Sequence, residues 1–317
     1  MSGYNGTLAY DFIDRAFEHN IRAKVISIEH IRELQKYIIG TMKDFSDVDQ
    51  NLGKYLKKFN YEMAEGFKDA KSIIVIAVPQ PISRIYFTLN SKKYAVIMPP
   101  MYLFNSSYEL EDKQKKIIEV TKIVENILNY EDFKLVKINL PCKLTAVKSG
   151  LGVYGRNNIC YINNESSFFW LATYISDMPC VDDTWIESPT TMKKCSDCNA
   201  CLKNCPTNAI ADDRFLIHAN KCITLQNESE KDFPIWLKPS WNNSIIGCMR
   251  CQSICPVNKK YITKIKDLVQ FDATETKMIL ENVPLHKLPE ITYKKIDDIN
   301  FIQDYKILAR NLKVLIK

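Results

Sequence analysis

The placement of cysteine constrains this chain more than any other feature. All eleven cysteines fall within residues 142–255, and 1–141 has none. A run Cys195-x2-Cys198-x2-Cys201-x3-Cys205-Pro206 is followed by Cys248-x2-Cys251-x3-Cys255-Pro256, with Cys222 standing between them. The first run has the spacing found in bacterial two-cluster ferredoxins, where three close thiolates wrap one iron–sulfur cube and the fourth cysteine ligates the other cube. Applying that crossing to both runs gives Cys195, Cys198, Cys201 and Cys255 to one [4Fe–4S] cluster. The second takes Cys205, Cys222, Cys248 and Cys251, with Cys222 supplying the corner that the shorter run lacks. Pro206 and Pro256 interrupt local hydrogen bonding after the crossing cysteines. A pair of zinc sites would show paired C-x2–4-C spacings, and these runs do not fit that layout. A double-cluster wire of this kind carries electrons singly and needs an acceptor at its end.

Compartment follows from the same residues. Met1–Tyr10 has no basic start followed by an apolar run, so no secretory signal is expected. No apolar stretch reaches the roughly 20 residues that span a bilayer. The expectation is a cytoplasmic protein without membrane contact, its thiols reduced and available to metal rather than joined as disulfides. At 317 residues the chain can bury a core without metal staples. Its net charge of +6 permits an anionic partner such as tRNA but is equally the balance of a Lys-rich solvated surface.

The chain before the cysteines mixes helices and strands. Apolar Phe12, Ile13, Ala16 and Phe17 give Tyr10–Asn20 a helical period. Lys71–Pro79 (KSIIVIAVP) is a β-branched run ended by prolines, the pattern of a buried strand. Glu109–Asn129 reads as an amphipathic helix and Phe133–Asn139 as a strand. Asn158–Ile162 and Phe168–Ile175 read as a hairpin turning at Asn163–Asn164. Beyond Pro256 the pattern is Lys-rich and helical, ending in Tyr305–Ile316. The fold class expected is α+β, divided into residues 1–184, a ferredoxin-like double [4Fe–4S] segment 185–262, and a short C-terminal helical segment 263–317.

Gly150-Leu-Gly152-Val-Tyr-Gly155 spells G-x-G-x-x-G, yet a helical stretch precedes it and a strand follows. A dinucleotide fingerprint needs the reverse order, and Arg156-Asn157 stands where a phosphate loop needs Lys-Ser/Thr. The glycines mark a tightly bent backbone, either structural or approached by a flat ligand. Cys142, Cys160 and Cys180 lack metal spacing; Cys160 reads as a small buried apolar residue, and Cys142, at a strand end, is the one with a possible role. His19, His30, His218 and His286 are isolated, none in the D-x-H-x-x-G context of a histidine-ligated corrinoid.

Taken in order, AVKSGLGVYGRNN (146–158), CSDCNACLKNCPTNAI (195–210) and GCMRCQSICPVNK (247–259) resemble the epoxyqueuosine reductases. Phe67–Pro79 resembles that family's early strand and Tyr305–Leu315 the end of its core. Reductive dehalogenases share the same plan more distantly. The resemblance implies a nitroreductase-like, corrinoid-binding α/β domain followed by the double-cluster domain. It implies cobalamin, or less directly a flavin, near Lys148, Ser149, Gly150, Leu151, Gly152 and Gly155. A low-potential electron donor would feed the clusters, and the cobalamin would reduce epoxyqueuosine in tRNA or a related electrophile. Three positions depart from the family. Ile138-Asn139-Leu140-Pro141 replaces a segment whose Asp donates a proton, and asparagine cannot protonate an alkoxide. Val153 replaces a loop tryptophan, and Cys222-Ile-Thr224-Leu225-Gln226-Asn227-Glu228 replaces a Cys-x-Ser/Thr-Tyr-Leu-Thr-Ile-Glu run. No catalytic residue is assigned. The competing reading is a non-catalytic carrier or reductive activator of a corrinoid or other redox partner.

Overall fold

The computed structural model describes residues 4–44, 50–63, 67–103, 122–127 and 133–316. Nine strands occur among them: β1 (Arg22–Ser27), β2 (Ser72–Pro79), β3 (Ile82–Leu89), β4 (Lys92–Met98), β5 (Leu135–Lys137), β6 (Gly152–Tyr154), β7 (Cys160–Ile162), β8 (Phe169–Ser176) and β9 (Ile265–Phe271). The chain divides into two compact units, each discontinuous in sequence. One joins Met1–Pro79 to Ile118–Cys198, the other Gln80–Ile117 to Asn199–Lys317.

The first unit is built on an antiparallel sheet of order β1-β2-β8-β5. β2 is its centre because Ile73, Ile74, Val75, Ile76 and Ala77 are apolar on both faces, and each is fully buried. Helix α1 (Tyr4–Glu18) supplies Phe12 and Ala16 to the interior, and α2 (His30–Asp44) packs Ile31 and Leu34 with Ile26, Ile73 and Ile175. The expected helix and strand at Tyr10–Asn20 and Lys71–Pro79 are both present. Most of the expected helix at Glu109–Asn129 lies outside the described residues, within which 122–127 are helical.

The hairpin expected from Asn158–Ile175 does not form. The chain does turn at Asn163 and Asn164, both left-handed at φ 50° and 56°. It then leaves its sheet: β7 pairs with β6, whereas β8 pairs with β2 and β5. A local turn signal predicts a reversal, but it does not decide which strand receives the outgoing chain.

The second unit carries the sheet β4-β3-β9, with β3 and β9 parallel and an irregularity of register between Arg84 and Tyr86. The segment 263–317 was expected to be helical, and it opens instead with a strand. In β9 only Phe271 is buried, so IKDLVQF has too few inward apolar residues to show a period of two. Three helices follow: Ala273–Leu280, Glu290–Asp298 and Tyr305–Leu315. The first starts at a capping box in which Asp272 accepts from the Glu275 amide and Glu275 accepts from the Asp272 amide. The last lays Ile307, Leu308 and Leu312 inward, as its sequence period requires. Their core includes Ile85, Phe87, Ile279 and Phe271, with Phe87 and Phe271 stacked at 5.0 Å. Among the described residues no helix is long and apolar enough to cross a membrane.

Candidate metal centre

The two cysteine runs fold as a structural repeat. Cys201 and Cys251 each occupy the second position of a one-turn helix, Ala200–Lys203 and Arg250–Ser253. Each helix ends on a right-handed cap residue, Asn204 or Ile254, and the next residue is a cysteine followed by proline. The Cys205 amide donates to Leu202 O at 3.2 Å and the Cys255 amide to Gln252 O at 3.3 Å. Three residues after each cysteine an asparagine amide closes a turn onto it, Asn208 onto Cys205 O and Asn258 onto Cys255 O. The Asn204 side chain ties the two turns together by donating to Arg250 O at 2.8 Å.

This arrangement brings the thiols of Cys205, Cys222 and Cys248 into one electrostatic neighbourhood. Burial pushes the Cys248 thiol up to about 11, and the neighbouring Cys222 and Cys205 add to the rise while the Arg250 amide opposes it. Burial likewise raises Cys222, against donation from the Thr224 amide and hydroxyl, with Cys205 again adding to the rise. Desolvated thiols this close resist ionisation until a cation joins them. N–H donors aimed at sulfur are what an anionic iron–sulfur cube requires. The donor set therefore fits a [4Fe–4S] cluster. Among the described residues, no three Cys, His, Asp or Glu side chains converge closely enough to hold a single metal ion.

In the first unit, Cys195 ends a short turn, Lys193–Cys195, that is fastened to β6. Tyr154 bridges to Thr191, and the Met192 amide donates to Tyr154 O at 2.8 Å. Past β6 the Arg156 amide donates to Cys195 Sγ at 3.4 Å, and its guanidinium donates to Cys195 O at 2.9 Å.

The six residues singled out for a flat cofactor run from the C-terminus of α3 (Cys142–Lys148) through the turn entering β6 to Gly152, which opens β6, and Gly155, which follows it. Gly150 has φ +77°, the left-handed turn that ends α3. At Gly152 a Cβ would sit 2.7 Å from Cys160 Sγ and 2.9 Å from Tyr161 O. At Gly155 it would sit 2.6 Å from both Asn157 Oδ1 and Tyr161 Cε2. Ser149 is buried and donates to Ala146 O, and Leu151 is buried as well. The Lys148 ammonium donates to Ile186 O and Glu187 O and lies 4.9 Å from the Trp185 ring, its pKa lowered by burial. At Gly152 and Gly155 the side a Cβ would occupy is therefore filled by the chain itself.

The stretch 138–141 is also structural. Ile138 is buried in the core beside Leu140 and Leu144. Thr173 Oγ1 donates to Ile138 O at 2.7 Å, and the Asn139 side chain donates to Lys58 O. Burial raises the Cys142 thiol and holds Cys160 at about 12. Sequence reasoning missed one cluster. His30 is stacked on Trp185 at 3.9 Å, with Nδ1 2.8 Å from Glu33 and Nε2 2.9 Å from Asp183. Glu33 lies one helical turn from His30 and was legible. Asp183 and Trp185, some 150 positions away, gave no local signal.

Residues 194–258, which contain the seven cysteines of the two runs together with Cys222, match the family model of a 4Fe-4S double cluster binding domain. The epoxyqueuosine reductase of Cyclobacterium marinum is 30% identical over 201 residues, covering 62% of this chain and 61% of that protein. The chain thus spans less than two thirds of that relative. Epoxyqueuosine reductase bound to an epoxyqueuosine-modified tRNA-Tyr stem loop has TM-score 0.64 at 18% identity over 98% of this chain and 81% of that one. The Bacillus subtilis enzyme, solved with a catalytic aspartate loop swung out of its active site, has TM-score 0.62 at 19% identity, with the same coverages. The class is therefore an α+β protein carrying a double [4Fe–4S] domain. Within that class the chain is epoxyqueuosine reductase-like in sequence and in fold.

Proposed function

We propose that this chain is a cytoplasmic iron–sulfur oxidoreductase of the epoxyqueuosine reductase type, taking electrons from a low-potential donor and acting on epoxyqueuosine in tRNA or a related electrophile. The observation that supports this best is the pairing of a double-cluster domain with the fold of that enzyme. Cys205, Cys222, Cys248 and Cys251 would hold one cluster, as the mutual proximity of three of their thiols supports. Cys195, Cys198, Cys201 and Cys255 would hold the other, on their order along the chain. Removing an epoxide oxygen as water takes two electrons and two protons, and a pair of one-electron centres suits that demand.

Cobalamin is the acceptor that the family resemblance implies, and its chemistry would be that of a reduced cobalt nucleophile. Lys148, Ser149, Gly150, Leu151, Gly152 and Gly155 would lie beside it, on a loop that also fixes β6 and hence the turn that ends at Cys195. Ile138 favours a second reading. A buried isoleucine offers no proton where related enzymes place an aspartate, which suits an electron carrier or activator rather than a catalyst.

Anaerobic reconstitution separates these readings. Iron and sulfide should reach two [4Fe–4S] clusters per chain. Cobalamin uptake followed by turnover of epoxyqueuosine tRNA under strong reductant establishes the enzyme. Full clusters with neither uptake nor turnover would sink it and leave the carrier.

A further inference from the structure

We propose that Arg156 is a positioning residue that raises the reduction potential of the cluster ligated by Cys195. It does so by placing an amide donor on the sulfur and a fixed positive charge on the carbonyls of the same turn. The inference rests on the reading of Cys195 as a cluster ligand and goes beyond it, since neither motif spacing nor fold assigns Arg156 a task.

The geometry starts in the loop between β6 and β7. Gly155 N donates to Ile159 O and Asn158 N to Gly155 O, and Asn158 is left-handed at φ 59°. Buried Asn157 locks the loop from inside by donating to Tyr161 Oη at 3.1 Å. Arg156 projects from a backbone with little freedom left. Its amide reaches Cys195 Sγ at 3.4 Å, while Nη2 reaches Cys195 O at 2.9 Å and Ser196 O at 3.4 Å. The partner turn is held as well, by the Met192–Tyr154 and Cys195–Met192 backbone bonds. Both ends of the contact are fixed, so the charge cannot drift from the sulfur.

The consequence is electrostatic. A [4Fe–4S] centre gains one electron and one unit of negative charge on reduction, with no bond made or broken. A nearby guanidinium and an N–H···S bond both favour the more negative state. Arginine suits this because one terminal nitrogen, Nη2, donates to two carbonyls at once and the guanidinium keeps its charge at any working pH.

The test is an anaerobic redox titration of the holoprotein followed by EPR, with dithionite as reductant. Arg156→Gln removes the charge and keeps the backbone amide. The signal that Cys195→Ala abolishes should move to lower potential. At fixed solution potential its reduced fraction, relative to oxidised, should fall about tenfold, roughly 59 mV for a one-electron couple. The signal abolished by Cys248→Ala should stay in place. Arg156→Lys, which keeps the charge, should hold the potential close to that of wild type. An unmoved Cys195-dependent signal in a fully loaded glutamine variant would overturn the proposal, as would an equal shift of both signals. If the glutamine variant fails to retain that cluster, the neutral Arg156→Met variant decides. A potential below that of wild type upholds the role, and a wild-type potential reduces Arg156 to a structural staple. A wild-type chain without any Cys195-dependent signal would instead overturn the cluster reading itself.

Discussion

Gly152 shows how a sequence can mark a residue without naming its neighbours. Its spacing with Gly150 and Gly155 marks a backbone under close approach, and close approach is what the structure contains. The atoms it shows in approach are Cys160 Sγ and Tyr161 O of the paired strand. No single sequence can show which atoms face a glycine, because the facing strand is fixed only by pairing. The two readings part on Gly152→Ala. Because one obstructing atom is a backbone oxygen, the clash must be relieved by moving a strand, and overpacking of that kind costs about 1–3 kcal/mol. Denaturant unfolding of the cluster-free chain should show that loss. A variant with wild-type stability that only binds cofactor less well would return the loop to the cofactor. Cys160 was read as a buried apolar residue, and it is one: its thiol is held protonated by burial and packs on that glycine.

At the scale of elements, legibility follows how local the determining contacts are. β2 could be read because five consecutive buried residues declare themselves without help from elsewhere, and Tyr305–Leu315 because its apolar stripe is continuous. The destination of β8 could not, since its partner β2 lies roughly a hundred residues earlier. β9 was hidden by its own exposure. The cysteine turns are the most legible elements of all, because metal ligation fixes spacing more tightly than packing does. They also carry the sharpest element-level expectation. Cys205 leaves the helix Ala200–Lys203 and stands with Cys222 and Cys248, not simply with the run that contains it in sequence. Cys205→Ala should therefore impair the cluster that depends on Cys248 and spare the one that depends on Cys195. Iron analysis with EPR checks this, and loss of the Cys195-dependent signal alone would refute crossed ligation.

Over the whole molecule, cysteine usage divides the chain at residues that packing does not respect. The hairpin β3–β4, from the cysteine-free half, belongs to the same compact unit as residues 199–317, and that unit has a core of its own around Phe87, Phe271 and Leu308. The other unit has a separate core around Ile73, Leu34 and Ile175. Two cores of this kind predict that the cluster-free chain unfolds in two calorimetric transitions rather than one, outside two-state behaviour. The assignment of each transition can be checked by emptying each core in turn. Phe271→Ala removes a fully buried ring stacked on Phe87 and should cost about 3–5 kcal/mol. It should lower one transition only, while Leu34→Ala lowers the other. Cys205, Cys222, Cys248 and Cys251 all belong to the unit of Phe271. Filling their cluster binds the folded form of that unit and not the unfolded one, so it should raise the transition that Phe271→Ala lowers. A single transition that both substitutions lower equally would show that the cores melt as one.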